Sequence, residues 1–261
     1  MRHQRMGAYI SSMVFRPPEN RARIADRLGF VHYRPTLGSA EIPIIAMNKR
    51  DYVVVVSYGN ASDLRDMLPV LDSLSEHLQC TIVGYDYPGY GSSHPLQSEN
   101  PLDLKPSEQG CYEAIDAVHA YVSNELGFAD EKQIWLGTSL GTGPTVDLVS
   151  RLCKRQRHVG GMILVNSFWS ISRIVSTLTP LFYDMFVNGR KIGAVNVSTL
   201  LLHAENDRLI PPEHSLWLAD VCKMARLLII PNCDHNNTWD NPIFWMELKK
   251  FVDTEIKRQI H

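Results

Sequence analysis

The sequence contains no Cys-x-x-Cys pair, and its five cysteines, Cys80, Cys111, Cys153, Cys222 and Cys233, are odd in number and widely scattered. That pattern indicates neither a disulfide framework nor a zinc site, and it fits a reducing, intracellular and cytoplasmic setting. An excess of charge is missing as well. A formal net charge of −2 over 261 residues gives no general attraction to nucleic acid or to an anionic membrane. There are no internal repeats or low-complexity tracts. The basic start, Met1 to Arg5, precedes a moderately apolar stretch at residues 6–15, but Tyr9, Ser11 and Ser12 interrupt it. The stretch falls short of the ~18 residues a spanning helix needs and lacks a small-residue cleavage site. It reads as a tail or short helix packed on the domain, with a peripheral membrane-surface contact as the alternative.

What is present is ample material for a core: 44% hydrophobic and 21% charged residues. These proportions and the length suit one α/β domain at residues 29–261 behind an N-terminal extension at 1–28. Apolar runs of strand length alternate with longer helical stretches, the pattern of a mostly parallel sheet with helices on both faces. Residues 30–47 supply the first antiparallel strands. Further strands are expected at 52–58, 81–85, 134–136, 162–165, 199–203 and 227–230, and helices at 63–76, 107–126, 140–151, 213–221 and 242–256. In such a sheet ligands lie beyond the carboxyl ends of the strands. Four loops stand there: 58–61, 86–93, the one at Ser139, and the late pair holding Asp207 and His235.

The loop at Ser139 is the most specific. Gly137-Thr138-Ser139-Leu140-Gly141 follows the apolar run Ile134-Trp135-Leu136 and matches G-x-S-x-G, in which a strand turns sharply into a helix with the serine at the apex. A serine hydroxyl is a poor nucleophile at neutral pH, so acyl transfer needs a base within reach and an acid to orient that base. Asp207 and His235 follow the next strands in the order Ser, Asp, His. Glu205 is the rival acid, and Asp234 reads as a loop neighbour of His235. His214 lies inside a helix and His261 is the terminal residue, so neither has the loop placement of a base. Oxyanion donors are expected from the backbone amides of Asn60 and Leu140. Ser62 or Asp63 would cap the following helix.

Together SYGNASDLRDM, DYPGYGSS, GTSLGTGPTVDL and AENDRLIP resemble the α/β-hydrolase-domain depalmitoylases and their Bem46-like relatives over most of residues 53–252. The N-terminal RPPENRARIADRLGFVHYRP is similar to the proline-bounded segment that precedes the domain in that group. The resemblance implies an α/β-hydrolase fold, and the apolar residues at about 167–195 read as a short cap over it. It also implies a serine hydrolase that needs neither metal nor cofactor, acting on an acyl ester or thioester through Ser139, Asp207 and His235. Two departures stand out. Tyr58-Gly59-Asn60 replaces the usual His-Gly-Asn, and the first cysteine is Cys80, whereas members that work at membranes carry an N-terminal cysteine cluster. Phe168, Trp169 and Phe182 in the cap, with Tyr58, are candidates to line an acyl pocket; packing of the cap onto the sheet explains the same residues. A serine peptidase of the same fold and an inactive hydrolase used as a binding module are the competing readings.

Overall fold

The run Val53–Ser57 is four valines and a serine, all buried, and a strand apolar on both faces must be covered on both. The computed structural model describes residues 14–18, 31–33, 40–96, 100, 103–175 and 184–257. Its strands are β1 (Val31–Tyr33), β2 (Ala40–Met47), β3 (Val53–Ser57), β4 (Thr81–Tyr85), β5 (His94–Pro95), β6 (Gln133–Thr138), β7 (Gly161–Val165), β8 (Thr199–Ala204) and β9 (Ala225–Ile230). They form one sheet in the order β1-β2-β4-β3-β6-β7-β8-β9, with β5 joined to β2 off that path. Pairing from β4 through β9 is parallel, and β2 is antiparallel to β1, β4 and β5.

Helices α1 (Leu64–Leu78), α2 (Glu108–Asn124), α3 (Thr142–Lys154), α4 (Ile171–Val175), α5 (Asn188–Lys191), α6 (Glu213–Val221) and α7 (Pro242–Phe251) fill the connections. α1 packs against α7, and α2 against α3. The expected elements therefore stand where their periods put them, with local shifts. The turn at Ser139–Gly141 is a separate 3-10 turn, so α3 starts at Thr142 rather than at Leu140. A π turn, Val252–Ile256, ends the last helix. Two-residue β5 is too short to carry a hydrophobic period, which is why nothing in the sequence announces it. Among the described residues no helix is long and apolar enough to cross a membrane.

The strand register collects the loops that matter. Ser57 pairs with Gly137, Thr138 with Val165, Val165 with Leu202, and Ala204 with Ile230. The carboxyl ends of β3, β6, β7, β8 and β9 are thus level along one edge.

α1 shows how a side chain sets an element's start. The Asp63 carboxylate accepts from the amides of Arg65 and Asp66, while the Asp66 side chain accepts from the Asp63 amide, a reciprocal capping box that satisfies otherwise orphaned donors. Asp63 is fully buried and also pairs with Arg65. Asp63→Ala should lower stability by about 1–2 kcal/mol in urea unfolding; an unchanged midpoint would show that the box adds nothing.

Candidate active site

β6 cannot run smoothly into α3, because Ser139 takes a left-handed backbone conformation with φ of 50°. A side chain rarely adopts that region without being held there. The holding contacts come from the glycines on either side. A Cβ on Gly141 would sit 2.0 Å from the Ser57 carbonyl oxygen, and one on Gly137 would sit 2.6 Å from the Gly141 carbonyl oxygen. Both clashes are with backbone, so no rotamer relieves them. The Thr142 hydroxyl donates to the Ser139 carbonyl at 2.7 Å and closes the turn.

Ser139, His235 and Asp207 come together across 96 residues of chain. His235 Nε2 lies 3.0 Å from Ser139 Oγ, and His235 Nδ1 lies 2.6 Å from Asp207 Oδ2. With Asp207 ionised, Nδ1–H is the donor and Nε2 is left to accept the serine proton. The second carboxylate oxygen, Oδ1, accepts from the amides of Leu209 and Ile210 at 2.9 and 2.8 Å. Burial pushes the Asp207 carboxyl up, but nearby His203, the bond from His235 and the Ile210 amide more than reverse this and hold it below the usual carboxylate range. Glu205 is exposed and accepts from the Asn232 amide instead. Asp234 stays in its own loop, accepting from the Asn236 amide. His214, on α6, accepts from the Trp169 amide through Nδ1.

The loop after β3 lies against the serine: a Cβ at Gly59 would be 3.4 Å from Ser139 Cβ, which sets the Gly59–Asn60 peptide beside the nucleophile. Leu140 occupies the second position of the 3-10 turn, where a backbone N–H has no intrahelical acceptor. Leu140 thus follows Ser139 directly, and Gly59, the residue before Asn60, lies against it.

The expected pocket lining needs correction. Tyr58 is only 1% exposed and its hydroxyl donates to Asp86, while its ring packs on Tyr87. The buried Asp86 on the next loop gives the phenol its partner, so the side chain is held in the core. Phe168 is also 1% exposed and packs on Phe186. Trp169 is half-buried, edge-on to Trp217 and beneath the Arg173 guanidinium. Phe182 lies outside the described residues.

Two polar residues behind the site escaped the sequence reading. Asn166, after β7, adopts a φ of 48°. Its amide nitrogen donates to the His235 carbonyl at 3.2 Å and to Thr238 Oγ1 at 3.0 Å, and its oxygen accepts from the Ala204 amide at 2.9 Å. It brackets the base loop to the acid strand, and its place at a strand's carboxyl end was the available clue. His203 is fully buried; Nε2–H donates to the Ile210 carbonyl at 2.8 Å, and Nδ1 accepts from the Ser215 hydroxyl at 2.6 Å. It clamps the loop that presents Asp207 and lies 3.6 Å from that carboxylate.

No family model matches the chain. It is 31% identical over 207 residues to alpha/beta hydrolase domain-containing protein aho-3 of Caenorhabditis elegans, covering 78% of this chain and 58% of that protein. It is 30% identical over 231 residues to a putative alpha/beta hydrolase of Acanthamoeba polyphaga mimivirus, covering 84% and 82%. It is 31% identical over 208 residues to alpha/beta hydrolase domain-containing protein 17B of Xenopus tropicalis, covering 78% and 67%. The chain thus spans under two thirds of the nematode relative. Among solved structures, VinJ superposes with a TM-score of 0.65 at 14% identity over 92% of this chain and 100% of that one. Mouse alpha/beta hydrolase domain-containing protein 10 gives 0.62 at 14%, covering 88% and 99%. These likenesses establish the α/β-hydrolase fold.

Asp86 supplies a pH prediction. Burial lifts its carboxyl from near 3.8 to about 6, against hydrogen bonds from Tyr58 and the Leu64 and Ser92 amides that lower it. A raised carboxyl contributes stability that is full below the unfolded value and lost as pH rises through the folded one. Wild type should therefore lose on the order of 3 kcal/mol relative to Asp86→Asn between about pH 4 and pH 6. Parallel urea stability profiles for the two proteins would refute this.

Proposed function

We propose that this chain, which belongs to the alpha/beta hydrolase domain-containing proteins, is a serine hydrolase that cleaves an acyl ester or thioester. The observation that carries the reading is the unbroken series from Ser139 Oγ through His235 to Asp207, at 3.0 and 2.6 Å, with the serine on a strained turn.

In this reading Ser139 Oγ attacks the acyl carbonyl carbon while His235 Nε2 takes its proton. The resulting oxyanion is met by the backbone amides of Asn60 and Leu140, donors that need no reorganisation. Ser139 stands at the amino end of the turn leading into α3, where the helix dipole also favours negative charge. Collapse breaks the bond to the leaving thiolate or alkoxide, which takes the proton back from His235. Water then attacks the acyl-serine, giving its proton to His235, and the serine is restored as the carboxylic acid departs. Asp207 stays ionised throughout, which stabilises the imidazolium formed in each half-reaction. Thioesters of acylated proteins fit the resemblance read from the four loops, and small acyl esters use the same chemistry.

A fluorophosphonate probe should add one mass adduct that maps to Ser139 and disappears in Ser139→Ala, and the wild type should hydrolyse esters and thioesters in preference to short peptides. A folded but unlabelled wild type would instead favour a binding module. Asp207→Asn carries a further expectation. The Leu209 and Ile210 amides demand an acceptor, so the introduced amide would turn its nitrogen toward His235 and reverse the imidazole tautomer. Turnover should fall by on the order of 10⁴, and near-normal turnover would move the acid elsewhere.

A further inference from the structure

The described part of the N-terminal segment, residues 14–18, meets the site through a single side chain. Asn60 Nδ2 donates to the Val14 carbonyl at 2.6 Å, and Asn60 Oδ1 accepts from the Arg16 amide at 2.9 Å. The same oxygen accepts from the Tyr90 hydroxyl at 2.7 Å and from the Ala61 amide at 3.2 Å. One amide side chain thereby holds three backbone groups and a tyrosine hydroxyl, and the residue that carries it directly follows Gly59, which lies against Ser139. Between the two backbone contacts, Phe15 is buried and packs edge-on against Phe186 with ring centroids 6.1 Å apart. Phe186 touches α3 at Gly143, where an added Cβ would come within 2.3 Å of its ring. The segment is thus anchored on both sides: by hydrogen bonds to the loop after β3, and by an aromatic plug against the helix that follows the serine.

From this we propose that residues 14–16 are a positioning strap for the oxyanion site, holding the Gly59–Asn60 peptide at the height the developing oxyanion requires. This rests on the oxyanion role given above to the Asn60 amide. The loop needs such support: Ala61 takes a φ of 63°, a conformation unfavourable for a residue with a Cβ, so the peptide just before it is not kept in place by its own preference. Its other fixed points are the Tyr87 hydroxyl on the Tyr58 carbonyl at 2.8 Å and Tyr90 on the Asn60 side chain. Without the strap, Asn60 would keep its contacts to Tyr90 and Ala61 but lose both bonds to the N-terminal segment. The effect belongs in the chemical step and not in substrate capture, because oxyanion donors act on charge that exists only in the transition state.

Arg16 allows a clean test. Its side chain is exposed, so Arg16→Ala should leave the site intact. Arg16→Pro removes the N–H that Asn60 accepts, at a position already followed by Pro17 and Pro18 and therefore already biased to extended backbone, and Arg16→Ala controls for the lost side chain. With active sites titrated by fluorophosphonate and turnover measured on a thioester of a simple acyl chain, Arg16→Pro should lose ~10-fold to ~10²-fold in kcat per titrated site with KM within about twofold. Arg16→Ala should match wild type. If Arg16→Pro melts early, Phe15→Ala, which unseats the plug while keeping both hydrogen-bonding groups, should show the same fall in kcat per site. A labelled wild type in which Arg16→Pro and Phe15→Ala both turn over normally per site would overturn the strap. A wild type that takes no label at Ser139 would overturn the active-site reading and the strap with it.

Discussion

Everything at this site depends on one backbone turn. Ser139 stands in the left-handed region because Gly141 lies so close to the Ser57 carbonyl that no side chain fits between them. This contact joins the end of β3 to the start of α3. It fixes where the hydroxyl points, where the Leu140 amide lies, and how near the loop after β3 approaches. The strain of the turn is small beside the packing that surrounds it: β3 and β6 are buried along their whole length, and a rigid sheet can hold an unfavourable dihedral that a loop could not.

Around that turn the loops are tied to one another by side-chain amides and an imidazole more than by apolar contact. Asn166 joins the base loop to β8, His203 clamps the acid loop, and Asn60 joins the loop after β3 to the N-terminal segment. Each supplies both a donor and an acceptor, so each can satisfy two backbone groups that would otherwise be stranded at the edge of the core. Loops collected at the carboxyl edge of a parallel sheet have no ladder partners of their own. Short polar cross-links give them fixed positions without enlarging the core.

Much of this was legible before any coordinates. Apolar runs of strand length, separated by helical periods, define the parallel sheet, and Ser139, Asp207 and His235 stand out because each follows such a run. The resemblance read from four loops agrees in family with the hydrolase-domain relatives. What was not legible shares a cause. The direction in which Tyr58 turns depends on Asp86, 28 residues away, and Phe168 is core because Phe186 covers it. Asn166 matters through His235, 69 residues on. Local pattern reports which face of an element is apolar, but not which distant partner will claim a particular side chain. Aromatic residues near a site are especially ambiguous, since the same ring serves as wall or as core.

The strap along Val14–Arg16 carries a consequence for how the protein is made. Its plug, Phe15, meets Phe186 only after 186 − 15 = 171 further residues have been added, and His235 is made 96 residues after Ser139, 235 − 186 = 49 beyond Phe186. At ~5–20 residues per second, the ribosome exposes the first of these surfaces for many seconds before the second exists. A nascent chain long enough to form β3, β4 and β6 therefore holds the serine turn but neither the base nor the seat for Phe15. Completion of the Ser139, His235 and Asp207 series thus becomes a late event of synthesis.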